Sequence, residues 1–406
     1  MKPLRAGLLV VAAVALVGRW WLGADASADT AAAPAAAASA PALLPDSAVG
    51  GFTKSSGAGP RVPADPAARA AERALWQARL QRATQVRDAY RDATRYPHDS
   101  RPLREHPDQI YPNRPITEEA PLRLAGKEGN NNIRLRTWQD KVHLAAGESA
   151  KLAVSAVDVN GQVLPLVVQR AVLHQGATGQ NGSTMPEVNV AFHDDGTGGD
   201  EAAGDGIWTT TVQPANQGFA ELAGVLRLSV ALQSGEQPGF VYFDMISSPD
   251  APAKWTGRPR EAMANGSLQL QLPLEVRTAG RYVVTGRVDD ANGKPVALVS
   301  FNDELGSGNQ TVSLPLFGKL VRDLQPSFPL TLRDVDAFLL RADTFPDRSM
   351  LPRRVGRVLQ TRSYPLTAFS DAEWQSEERS RHLTEYDKDV AQAQSRLEQL
   401  APPAQP

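Results

Sequence analysis

The stretch from His193 to Trp208 reads HDDGTGGDEAAGDGIW and carries five acidic groups: Asp194, Asp195, Asp200, Glu201 and Asp205. Hard cations such as Ca²⁺ take about six to eight oxygens from carboxylates and backbone carbonyls. Glycines let the chain wrap around an ion, and like charges held in one loop repel without a counter-charge. The chemistry on offer is cation binding, with Asp194, Asp195, Asp200 and Asp205 as the candidate ligands of a stabilising Ca²⁺. The same residues also suit two linked turns, because Asp and Gly are favoured there and Asp caps its own backbone. The spacing departs from an EF-hand, which has acids at alternate positions and a closing Glu. Turn and metal loop both remain open.

Other chemistry is sparse. The histidines are His98, His106, His143, His174, His193 and His382, and no two have zinc-ligand spacing on one element. His-Glu-x-x-His, Gly-x-Ser-x-Gly and P-loop patterns are missing from the sequence. His193 beside Asp194 has the makings of a base with its orienting carboxylate, but no nucleophile accompanies it. Asp289-Asp290 falls at a predicted hairpin and reads as a solvated turn. Arg353-Arg354 reads as a solvated strand or loop. We therefore assign no catalytic and no cofactor-binding residue. Cysteine is absent, which removes disulfides and thiolate chemistry. A net charge of −2 without a basic stripe argues against nucleic acid.

The elements that must position the acidic loop are β-strands. Lys151–Val159 alternates and is followed by Asn160-Gly161, a hairpin signal. Further short strands are expected at 163–173, 188–192, 207–212, 225–232 and 239–246. A second series begins near Ser267, where Leu268, Leu270, Leu272, Leu274 and Val276 alternate strictly and mark one buried face. It continues through 282–288, a turn at Asn292-Gly293, 295–301, 312–316, 330–340 and 355–366. The expected fold class is mainly β: two immunoglobulin-like antiparallel β-sandwich domains, at 123–249 and 250–369, with flanking N- and C-terminal helices.

The flanks differ in composition. Residues 65–122 combine a helix over Pro66–Ala93, capped by Asp65, with an extended segment of recurrent prolines that disfavour helix and central strand. Residues 370–406 predict a helix with a Ser370/Glu373 capping box. Its seam of Leu383, Tyr386, Val390, Ala393, Leu397 and Leu400 docks on the body or forms a homodimer. Residues 27–64 are Ala/Pro-rich and predict a disordered linker. Residues 1–26 begin with Lys2 and Arg5, continue with an apolar run over 6–18, and end in small residues. This order predicts a signal peptide, or else an uncleaved inner-membrane anchor.

The acidic loop resembles a signature of bacterial exported Ig-like domains, through Asp194, Asp195, Gly196, Gly199, Asp200, Gly204, Asp205, Gly206 and Trp208. Gly280-Arg281-Tyr282, Asn292-Gly293-Lys294-Pro295 and Thr361–Leu366 resemble the accompanying domain of choice-of-anchor X proteins, a family of DUF4785-like layout. Tyr96–Pro102 resembles the leader that precedes those domains. The resemblance implies export to periplasm or exterior, and brings no established catalytic residue with it. The expected function is a non-catalytic binding or structural protein of the bacterial envelope, its partner an envelope or extracellular protein or glycan. The alternatives are the scaffold of an unrecognised hydrolase, or a membrane-anchored assembly factor.

Overall fold

The computed structural model describes residues 62–123, 129–176 and 186–401. The signal or anchor, most of the linker and the last five residues lie outside the described residues. Among the described residues the fold is mainly β, with largely antiparallel sheets and three α-helices.

The first β-unit pairs two sheets. One runs Ile116–Leu122, Asn130–Gln139, Ala150–Val157, Val163–Leu164, with Trp208–Val212 also on Ala150–Val157. The other runs His143–Leu144, Gln237–Ser247, Gly224–Ser234, Val167–Gln175, Val188–Asn189. Alternation dictates the core: Leu226, Leu228, Val230 and Leu232 are buried, and they meet Leu152, Val154 and Phe219 from the rest of the unit. A fully buried Leu contributes about 1.5–3 kcal/mol by leaving water.

The second unit repeats this logic. Its larger sheet runs Ser100–Pro102, Pro295–Leu305, Gly280–Asp289, Thr331–Leu340, Arg348–Met350, with Arg354–Gln360 also on Thr331–Leu340. Its smaller sheet gathers Ala253–Trp255, Arg260–Ala264 and Gly308–Leu316 around Ser267–Val276. The alternating leucines of Ser267–Val276 are at most 2% exposed, as their spacing predicts. They face Val312, Leu314 and Leu316 in one core. A short helix at Gly318–Leu324, where only a turn is expected from the sequence, closes one end.

The proline-rich leader takes edge strands and no central strand, in keeping with its recurrent prolines. It contains strands Ser100–Pro102 and Ile116–Leu122, both at sheet edges. An edge strand tolerates Pro102 and Pro121, because one side of its ladder needs no N–H donor. The leader docks on the second unit before the chain enters the first. Tyr96 donates to Asp323 at 2.8 Å, and Ser100 Oγ accepts from the Phe317 amide at 2.9 Å.

Helices α1 (Pro66–Ala93), α2 (Gly318–Leu324) and α3 (Glu377–Gln399) complete the fold. The Asp65 carboxylate accepts from the amides of Ala67 and Ala68, and Pro66 follows at the first helical position, as expected. The Ser370 cap is not formed. The last helix starts at Glu377 with Ser376 as its cap, and Glu373 instead pairs with Arg379, which is 2% exposed. Helices α1 and α3 lie antiparallel: Arg396 pairs with Glu72 at 2.7 Å near one end, and Tyr90 meets Tyr386 at 5.3 Å near the other. The seam expected on α3 is thus covered by α1.

Candidate functional site

The acidic loop is held at both ends. His193 and Thr209 exchange two backbone hydrogen bonds of 2.8 Å, and the Trp208 indole donates to the Leu166 carbonyl at 2.9 Å. Gly196 and Gly198 adopt φ of 76° and 60°, and a Cβ at Gly198 would lie 2.4 Å from the His193 ring. A side chain there would meet both backbone strain and a clash.

Within this frame the carboxylates separate into two sets. Asp194, Asp200 and Asp205 each bring one oxygen within 4.8 Å of the others. Asp200 is 9% exposed and accepts from the Gly196 amide at 2.8 Å. Asp205 accepts from the Ile207 amide at 2.9 Å. Asp194 Oδ1 is buried and has no hydrogen-bond partner. Asp195, the fourth expected ligand, is not in the group. It accepts from the hydroxyl and amide of Thr197 at 2.7 and 3.0 Å. Those bonds, the hydroxyl's first, hold its pKa below the usual carboxylate range. Glu201 reaches the other way, to Lys151 Nζ at 3.1 Å. The loop is therefore part capped turn and part convergent carboxylates. Three oxygens of this kind suit a hard cation whose remaining ligands are carbonyls and water.

His193 Nδ1 lies 3.6 Å from Asp195, not Asp194, and 3.4 Å from the Thr197 hydroxyl. The other paired residues are not solvated as the sequence suggests. Asp289 and Asp290 are 9% and 7% exposed. Asp289 pairs with Arg333, and Asp290 caps the turn through the amides of Asn292 and Lys294 at 2.8 and 2.9 Å. Arg354 lies over the Trp255 ring, and Arg353 reaches Asp336 at 3.5 Å.

Sequence patterns also miss a charge network under the leader. Arg287, 2% exposed, donates to Asp336 and to the Asp334 carbonyl, each at 2.6 Å, and to Gln109 of the leader. Arg333 donates to the Ile110 carbonyl at 2.9 Å, and Asn113 donates to Asp334 at 3.1 Å. Burial outweighs the nearby aspartates and lowers the Arg287 pKa. These residues are far apart in sequence and sit within β patterns, so no local spacing signals the cluster.

Two small clefts accompany these sites. One, about 120 Å³, lies among Arg104, Asp290, Lys294 and Gln325. The other, about 90 Å³, lies between the β-units among Ser247, Asp250, Arg341 and Arg348. No helix among the described residues is long and apolar enough to cross a membrane.

No family model matches the chain, and no curated protein matches it. Solved structures do. A DUF4785 family protein from Legionella pneumophila is similar over 56% of this chain and 57% of its own, at 14% identity and a TM-score of 0.38. Escherichia coli alpha-2-macroglobulin aligns over 59% of this chain and 15% of its own, at 12% identity and a TM-score of 0.27. The E. coli adhesin FdeC aligns over 55% and 64%, at 16% identity and a TM-score of 0.20. Each alignment spans less than two thirds of the neighbour's own length, and a DUF4785 family protein, the resemblance expected from the sequence, is among these similar structures.

Proposed function

We propose that this chain is an exported, non-catalytic protein of the bacterial envelope, in which two immunoglobulin-like β-sandwich modules bind or support an envelope or extracellular protein or glycan. The observation that carries this reading is the clasp on the second β-unit. The leader is bonded there through Tyr96, Ser100, Gln109 and Asn113, and α3 follows directly from the same unit. Both flanks are thus fixed to the second unit, and the first unit, with its acidic loop, is the one displayed. That arrangement suits a presenting module rather than a reaction centre. Fractionation of a bacterium expressing the full chain, with N-terminal sequencing of the product, tests export. The expected product is periplasmic or extracellular; a full-length chain retained in the cytoplasm overturns the reading.

A second reading adds Ca²⁺ at Asp194, Asp200 and Asp205. It rests on the buried, unpartnered Asp194 Oδ1 beside the other two oxygens. A bound cation stabilises by mass action, by about 2.7 kcal/mol at a hundred times its dissociation constant. Millimolar Ca²⁺ is expected to raise the melting temperature by several degrees; no shift removes the ion from the proposal.

A further inference from the structure

Exposed aliphatic side chains concentrate at one end of the first β-unit. Val159, Val163, Val167 and Ile207 are 68%, 53%, 55% and 41% exposed. Strand register places them at the same end of the unit's two sheets. Val163 pairs with Val157 beside the turn that carries Val159, and Val167 pairs with Gln233 beside the turn at Ser234–Gln237. A Cβ on Gly206 would touch Val163 at 2.7 Å, so Ile207 borders the same surface. The opposite end of the unit faces the second one: Ser248 meets Arg348, and Glu148 meets Arg353. The patch is therefore a distal tip.

The tip is acidic as well as apolar. Asp158, Asp205 and Glu236 lie in the segments that border it, with Arg170 on the strand paired to Ala231, whereas Glu201 pairs with Lys151 and Asp200 is only 9% exposed. Asp158 accepts from the amides of Gln162 and Asn160, each at 2.8 Å. These bonds, that of Gln162 first, lower its pKa and keep it ionised. A surface of this kind fits a helix with apolar and basic residues on one stripe.

The chain itself carries such a stripe. Helix α1 holds six arginines against three carboxylates. Its inner face is covered by α3. Beside that face run Leu75, Arg79, Arg82 and Val86, at alternating four- and three-residue steps that align them along the helix. Leu75 and Val86 are 51% and 43% exposed. Arg79 and Arg82 have no ion-pair partner among the described residues, Arg79 resting on the Trp76 ring at 4.7 Å.

We infer that the distal tip of one copy receives the Leu75–Val86 stripe of α1 from a second copy, so that chains associate head to tail. The apolar ends of the stripe meet Val159, Val163 and Ile207, and the two central arginines meet the tip carboxylates. Stripe against stripe is disfavoured, because it would oppose arginine to arginine. A tip-to-stripe contact is heterologous, so it builds rings or open chains rather than a closed dimer.

Sedimentation velocity of the full chain in EDTA tests this while leaving any metal site aside. Two variants are used: Arg79→Glu/Arg82→Glu on the stripe, and Val163→Lys/Glu236→Lys on the tip. All four positions are solvent-exposed, and circular dichroism checks that both variants fold. The wild type is expected to associate with rising concentration and to dissociate with added salt. Each variant alone is expected to associate at least about tenfold more weakly, since a like-charge contact costs on the order of 1.4 kcal/mol or more. Mixing the two variants is expected to restore association between unlike copies. A wild type that stays monomeric up to hundreds of micromolar, variants that associate as the wild type does, or a mixture that fails to associate overturns the inference.

Discussion

A carboxylate oxygen that leaves water without gaining a donor costs free energy, and Asp194 Oδ1 is in that position beside two further acids. Asp194→Asn keeps the shape and removes one charge. In EDTA it is expected to stabilise the protein by about 1 kcal/mol, since repulsion within the cluster falls. In millimolar Ca²⁺ it is expected to lose most of the melting shift of the wild type; thermal melts in both buffers check the pair of signs. His143 offers a separate test. Burial first, and then the positive charge of Arg348, pull its pKa down from 6.5 to about 4, and its Nδ1 is buried without a partner. The folded state thus favours the neutral ring. Its contribution is fully present above pH 6.5 and is lost as pH falls toward 4. His143→Gln is expected to flatten the fall in melting temperature across that window. Of the acidic loop, the residue types and their clustering were legible in the sequence. The division between Asp194, Asp200 and Asp205 on one side and Asp195 on the other was not, because it depends on which side chains the Thr197 and Lys151 donors take.

Elements were legible wherever one face alone is buried. The leucines of Ser267–Val276 and the seam of α3 follow their periods into the core and the helix pair. Legibility fell where a long-range bond decides. The leader strands exist because Pro295–Leu305 and Asn130–Gln139 offer free edges, which no local pattern reveals. The start of α3 moved because Glu373 is drawn to buried Arg379 and is unavailable for a capping box with Ser370. The arginines beneath the leader set the expectation at this scale. Arg333→Ala leaves Asp289 and Asp334, 13% and 14% exposed at their side chains, without their common partner. Breaking such a pair costs about 3–5 kcal/mol when fully buried, and the residual exposure here brings the expected loss nearer 2–3 kcal/mol in denaturant titration. Replacing exposed Arg357 on the neighbouring strand serves as the control and is expected to change little.

For the whole molecule, order along the chain and order in space differ. The leader precedes the first β-unit yet completes the sheet of the second, and its Gln109 and Ile110 satisfy Arg287 and Arg333 there. Among the described residues, direct bonds between the two units are few and long by comparison: Ser248 to Arg348 and Arg353 to Glu148, each at 3.5 Å. Each unit has its own hydrophobic core. Weak coupling between separate cores makes unfolding in two steps the physical expectation, rather than one cooperative loss. Deleting residues up to 113 removes the edge strand and uncovers buried arginines of the unit that lies farther along the chain. Differential scanning calorimetry of this truncation is therefore expected to lower the transition of the C-terminal unit by several degrees. The N-terminal unit, whose own strands begin at Ile116, is expected to melt as before. The transitions can be assigned independently with Leu228→Ala in the first core and Leu272→Ala in the second, each costing about 2–5 kcal/mol in its own unit. If the truncation moves the transition that Leu228→Ala moves, the leader belongs energetically to the first unit and the clasp on the second is not what holds it.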